Sequence, residues 1–315
     1  MPAALIAVGA GLVLLGRAAD QFVVGGARLA ATLRVSPVVI GAVVVGFGTS
    51  APELLISGLA AGQGHLDLAV GNIVGSNIAN VTLVLGVAGL IVSIRVDSRA
   101  LRREAPLAAL AVILFALLAR GGLTRLEGLA LGAVLVTVLA TVIVDAGRRG
   151  NRQLESDVED YLRRPEIGTR TEVLRTLLGL VGTLIGAQLM VWGAERVADE
   201  LGLAEGFVGL TLVAVGTSLP ELATAVFAAR RGEDDLIVGN LLGSNIFNSL
   251  AVGATAAFAG PAALADPAVV RTGSIVMVVV MLAGWGFMMT RHRIERWEAL
   301  TLLTGYVVFV PLLAS

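Results

Sequence analysis

Apolar residues run along this chain in blocks of helix length, broken by short polar stretches, without the strict alternation of lipid-facing strands. Ten blocks stand out, at 3–32, 37–61, 67–93, 103–119, 123–146, 171–200, 206–229, 235–258, 270–290 and 297–314. About 20 apolar residues in a helix cross a bilayer, and inside lipid only helices or closed barrels satisfy their own backbone groups. The blocks are too long for the roughly ten-residue strands of a barrel. The pattern therefore predicts an all-α polytopic membrane protein with ten transmembrane helices. The first and sixth blocks exceed what a bilayer needs and are expected to tilt.

The polar breaks set the organisation. The one long break, 148–170, is expected to be a cytoplasmic linker, solvated or with a short amphipathic helix. It separates a first five-helix unit, 1–147, from a second, 171–315. All basic side chains are arginines. If the N-terminus lies on side A, 16 loop and linker arginines fall on side B and three (Arg120, Arg125, Arg271) on side A. The excess marks side B as cytoplasmic, so both termini are expected outside. No removable signal peptide is read at the N-terminus.

The two units contain a repeat. Gly41–Asn80 aligns without a gap on Gly209–Asn248, at an offset of 168, with 21 of 40 positions identical. Identity concentrates in Gly-Thr-Ser-x-Pro-Glu-Leu (48–54 and 216–222) and Gly-Asn-x-x-Gly-Ser-Asn-Ile-x-Asn (71–80 and 239–248). A duplication under no constraint would spread its similarity evenly over all five spans. Here it is held at Thr, Ser, Pro, Glu and Asn, which points to a demand on those polar groups. Each unit has an odd number of spans, so the second copy enters the bilayer the other way up. Two inverted copies bring equivalent residues together at the midplane.

Composition sharpens this. The chain is 56% hydrophobic and 15% charged, which excludes a soluble domain of this size. With no cysteine and only His65 and His292, both near span ends, the spans offer no thiolate or imidazole metal site and no Ser/His or Cys/His nucleophile. An intramembrane enzyme is disfavoured. Glu53 and Glu221 sit deep in apolar spans, where a charged carboxylate costs roughly 2.5–3.5 kcal/mol or more. A bound cation would compensate; a protonated, hydrogen-bonded structural role is the plainer alternative. Pro52 and Pro220 remove an N–H and crowd the carbonyl four residues back, at Gly48 and Gly216. The resulting break is expected to free backbone carbonyls near Gly46 and Ala214. Thr49, Ser50 and Glu53 lie within about one turn, and Ser76 and Asn80 share a face at i, i+4. Their counterparts are Thr217, Ser218, Glu221, Ser244 and Asn248. This all-oxygen inventory suits hard cations such as Ca2+ or Na+. Gly71, Gly75, Gly239 and Gly243 are expected at close helix contacts. Asn72, Asn77, Asn240 and Asn245 are expected to serve structure more than the ion path.

With these motifs in view, the sequence resembles the calcium/cation antiporter superfamily, in particular the prokaryotic sodium/calcium exchanger type, whose alpha-repeats the two blocks resemble. The resemblance covers essentially the whole chain. It implies Ca2+/Na+ antiport by alternating access, with the first and sixth helices sliding against the other eight, in a prokaryotic plasma (inner) membrane. It implies ion ligands at Thr49, Ser50, Glu53, Ser76, Asn80, Thr217, Ser218, Glu221, Ser244 and Asn248, with carbonyls near Gly46 and Ala214. Some members of the superfamily carry aspartate where this chain has Asn248. The expected partners are the transported cations and the bilayer. No cofactor, nucleic acid or protein partner is suggested. A Ca2+/H+ exchanger of the same superfamily is the alternative, and a passive cation channel a more distant one.

Overall fold

The computed structural model describes residues 1–32, 50–96, 100–149, 168–265 and 267–312. The 148–170 linker and most of the second block's first half, 33–49, therefore fall largely outside the described residues. What is described is nearly all helix. We number the helices α1 (Pro2–Thr32), α2 (Ala51–Gly62), α3 (Leu66–Ile91), α4 (Ala105–Leu118), α5 (Arg125–Arg149), α6 (Thr169–Leu201), α7 (Glu205–Thr217), α8 (Leu219–Arg231), α9 (Asp234–Ala259), α10 (Pro267–Met289) and α11 (Arg296–Leu312). Six helical stretches among the described residues are long and apolar enough to cross a membrane, or seven when α7 and α8 count as one bent span.

The boundaries follow local chemistry. α6 and α8 end at Gly202 and Gly232, at φ +63° and +71°. Glycine adopts this left-handed cap without a Cβ clash, and the following N–H groups close back on Ala198 and Ala228. Pro52 and Pro220 each occupy the second position of a helix, where the missing N–H has no intrahelical partner to lose. Ser50 and Ser218 precede those helices with closely similar backbones, φ −93°, ψ 9° and φ −81°, ψ 1°. At Ser218 the chain turns by 42° between α7 and α8. The break thus lies at Ser218, two residues after the glycine where the sequence placed it.

Among the described residues four segments take π winding, which the sequence did not foretell: Asn80–Val84 within α3, Ala100–Glu104 just before α4, Gly209–Val213 within α7 and Asn248–Val252 within α9. Those at Asn80 and Asn248 start on residues 168 apart. Such bulges leave the regular ladder locally open and often mark functional sites.

α1 and α6 pack side by side and antiparallel, with Gly11 against Gly186 and Met190, Gly25 against Thr176, and Gly193 against Ala4 and Val8. Small residues let the backbones approach this closely. α3 and α7 cross on a similar seam: a Cβ on Gly71 would meet the carbonyl of Gly206, and one on Gly75 the carbonyl of Leu210. The expectation of close packing is met at Gly71 and Gly75. At Gly239 and Gly243 no described residue lies against the site of a Cβ.

Two short antiparallel pairs close the ends of the bundle. Ile94–Arg95 pairs with Arg293–Ile294, and Gly122–Leu123 with Ala262–Ala263. Each joins a loop of the first unit to a loop of the second. α1 and α6 are tied at one end by Arg28 Nη1 to Glu172 Oε1 at 2.5 Å, both side chains under a tenth exposed. At the other end the Met1 ammonium meets Glu200. His65, expected to be solvated, is partly buried with Nδ1 3.0 Å from Glu205 Oε1.

Candidate functional site

The polar residues of the repeated blocks converge in the interior. Glu53 and Glu221 are each 1% exposed, and Ser50, Ser76, Asn80, Thr217, Ser218, Ser244 and Asn248 are equally buried. Each glutamate lies in the first turn of its helix, α2 or α8, where unpaired N–H groups favour negative charge. Ser76 and Asn80 come from the middle of α3, next to its π bulge. Ser244 and Asn248 occupy the same places in α9.

Hydrogen bonds knit the two units together here. Ser50 Oγ donates to Ser244 Oγ at 3.3 Å. The Ser76 and Thr217 hydroxyls lie 3.3 Å apart, and Thr217 also reaches Asn72 Oδ1 at 3.3 Å. Asn80 Nδ2 donates to Asn245 Oδ1 at 3.1 Å, and Ser244 Oγ sits 3.5 Å from Glu221 Oε1.

Around these bonds lies a set of buried polar atoms with no hydrogen-bond partner among the described residues: both carboxylate oxygens of Glu53, Oε2 of Glu221, Oδ1 of Asn80, Oγ of Ser218 and both amide atoms of Asn248. Buried polar groups in native proteins are nearly all satisfied, and each orphan costs about 1–3 kcal/mol, more for a charged group. Six of these seven atoms are oxygens, two belong to one carboxylate and a third to the other. Hard oxygen ligands in this number and kind fit a Ca2+ or Na+ ion. Among the described residues no group of three or more His, Cys, Asp or Glu forms a conventional metal centre, so hydroxyl and amide oxygens would supply the remaining contacts.

Two expected positions, Gly46 and Thr49, lie outside the described residues. A third, Ala214, is described. The carbonyl of Ala214 is not freed by the break: it accepts the Ser218 N–H at 3.0 Å and the Thr217 hydroxyl at 3.2 Å. Ser218 stays close enough to helical geometry to complete the turn, so the ladder opens after Ser218.

Asn72 and Asn245, assigned above to structure, bond directly to candidate site residues. Asn72 takes the Thr217 hydroxyl through Oδ1 and gives Nδ2 to Ser57 Oγ at 3.0 Å. Asn245 takes Asn80 and gives Nδ2 to Met281 Sδ at 3.7 Å. Their place in the repeated block was the available signal. Ser57 and Met281 carried none: Ser57 corresponds to Ala225 at the 168 offset, and Met281 lies outside the aligned stretch.

A helical membrane bundle with a buried, oxygen-lined dicarboxylate cluster defines a class, the membrane cation transporters. Comparison with known proteins narrows it: the chain belongs to the sodium/calcium exchanger protein family, whose model matches residues 3–144 and 172–314. It is 40% identical over the full length of both chains to CaxA of Alkalimonas amylolytica, named as an antiporter. It is 32% identical to the sodium/calcium exchanger MaX1 of Methanosarcina acetivorans, over 96% of each chain. Solved structures of the sodium-calcium exchanger NCX_Mj superpose with a TM-score of 0.64 at 30% identity, covering 98% of each chain. The protein is thus a cation antiporter of a transporter family whose relatives exchange sodium and calcium.

Proposed function

We propose that the protein exchanges Ca2+ for Na+ by alternating access, with the ions held between its two units by Glu53 and Glu221. The observation that carries this is the set of unpartnered buried oxygens centred on those carboxylates and contributed by both units. Two carboxylates balance one Ca2+. Na+ is a hard cation that takes the same oxygen ligands, so the two ions compete and their fluxes couple. Ser50, Ser76, Asn80, Thr217, Ser218, Ser244 and Asn248 complete the ligand set, together with Thr49 and the Gly46 carbonyl. The Ala214 carbonyl belongs to the proposed set as well; here it accepts the Ser218 N–H and the Thr217 hydroxyl.

The architecture we infer is ten spans as two inverted five-helix repeats, 1–147 and 171–315, joined by a cytoplasmic linker at 148–170. It is supported by the antiparallel packing of α1 on α6, by the matched backbone angles at Ser50 and Ser218, and by the paired π bulges. Loop contacts agree with the path. Arg95 with Arg293, Arg95 with Asp234, Gly122 with Ala263, and Met1 with Glu200 each join segments assigned to one side of the membrane. Arginine bias then puts both termini outside, in a plasma (inner) membrane. α1 and α6, joined on a glycine seam, would slide as one body.

The test is radiolabelled Ca2+ uptake into proteoliposomes with separately imposed gradients. An outward Na+ gradient should drive uptake with a protonophore present. Uptake that ignores Na+ and collapses with the pH gradient would make the protein a Ca2+/H+ exchanger. Flux unaffected by ions on the opposite side would make it a channel.

A further inference from the structure

Amide ligands have a directional problem that carboxylates and hydroxyls lack. An asparagine serves a cation only with its oxygen toward the ion; turned over, it presents two N–H hydrogens that repel the charge. Asn80 is held one way round. Its Nδ2 donates to Asn245 Oδ1 at 3.1 Å, and its Oδ1 is left buried with no partner among the described residues. Asn245 faces the same choice, and its Nδ2 lies 3.7 Å from Met281 Sδ. A thioether sulfur accepts weakly and cannot donate. It therefore selects the NH2 side of Asn245 and turns the Asn245 oxygen toward Asn80. All three side chains are buried at 2% exposure or less.

We propose that Met281 and Asn245 are positioning residues that fix the Asn80 amide with its oxygen toward the cation; this rests on the reading of Asn80 as a ligand. The device has no mirror image. In the corresponding part of the first unit the chain runs Leu110-Ala111-Val112-Ile113, which offers no acceptor side chain. Asn77, the counterpart of Asn245, spends its Nδ2 on the carbonyl of Ile73 at 2.8 Å. Neither amide atom of Asn248, the counterpart of Asn80, has a partner among the described residues. The site therefore meets an ion with one amide already aimed and the other still to be turned, although the two copies of the motif are identical at these asparagines.

Met281→Leu keeps the volume and removes the sulfur. Half-saturating Ca2+, measured by equilibrium binding of radiolabelled Ca2+ to purified protein and by uptake, should rise roughly three- to tenfold, the size of one net hydrogen bond. The maximal rate and apparent melting temperature should stay put. Asn245→Leu should act at least as strongly, and Met281→Leu should add nothing in that background or in Asn80→Ala, as expected of residues in one chain of contacts. The Asn80→Ala cycle serves even if the Asn245 variant fails to fold. Wild-type affinity in Met281→Leu beside weakened binding in Asn80→Ala would overturn the proposal. So would an undiminished Met281→Leu effect in either background, which would indicate packing alone. Wild-type affinity in Asn80→Ala would instead remove Asn80 from the ligand set.

Discussion

Gly75→Ala tests how tightly the site depends on the α3–α7 crossing. A Cβ at Gly75 would stand 2.6 Å from the Ala214 Cβ and 2.7 Å from the Leu210 carbonyl carbon, with the Leu210 oxygen nearer still. Ordinary contact begins near 3.4 Å, so α7 must back away from α3 by roughly 1 Å, because backbone cannot swing aside as a long side chain can. Ser76 is the next residue, and Thr217 ends α7. The Thr217 bonds to Ser76 and Asn72, both at 3.3 Å, would pass out of range. Losing two net hydrogen bonds of about 0.5–1.5 kcal/mol each should raise half-saturating Ca2+ roughly 5- to 150-fold. Overpacking should also destabilise the fold by about 1–3 kcal/mol. The assay is Ca2+-dependent uptake in proteoliposomes beside thermal unfolding of the purified protein. Gly132→Ala is the control, because no described residue lies within 4 Å of the site of its Cβ. Unchanged half-saturation in Gly75→Ala would refute the link between this crossing and the site.

Arg28→Met strands a buried Glu172. Losing a partner in a buried pair costs about 3–5 kcal/mol, but Arg175 remains 3.3 Å from Glu172. We expect a loss of roughly 1–3 kcal/mol, seen as a lower apparent melting temperature, and partial recovery in Arg28→Met/Glu172→Gln, where no stranded carboxylate remains. Ser57→Ala removes the acceptor of the Asn72 NH2 group. Stability should fall by about 1–3 kcal/mol and half-saturating Ca2+ should rise severalfold with the maximal rate retained, read from denaturation and uptake curves.

Spans were legible in the sequence because lipid imposes one crude requirement, apolar length. α1 at Pro2–Thr32 and α6 at Thr169–Leu201 lie within two residues of the blocks read from hydropathy. The buried polar cluster was legible because the same residues occur twice at one offset. What escaped was decided by contacts rather than pattern. Proline marked a break, yet where the ladder opens depends on whether Ser218 can still close on Ala214, and that is a matter of two backbone angles. The Arg28–Glu172 pair spans 144 residues and leaves no local trace. The π bulges have no composition of their own, since Asn80–Val84 and Asn248–Val252 share only their first and last residues. Met281 is one methionine among many apolar residues until Asn245 is seen beside it.

The central claim is that one acidic side chain from each unit holds the transported cation. Equilibrium Ca2+ binding to purified Glu53→Gln and Glu221→Gln tests it most directly, because the amide keeps the shape and removes the charge. Each variant should fold, lose Ca2+ binding and lose exchange with it. Near-normal Ca2+ binding in either one would contradict it.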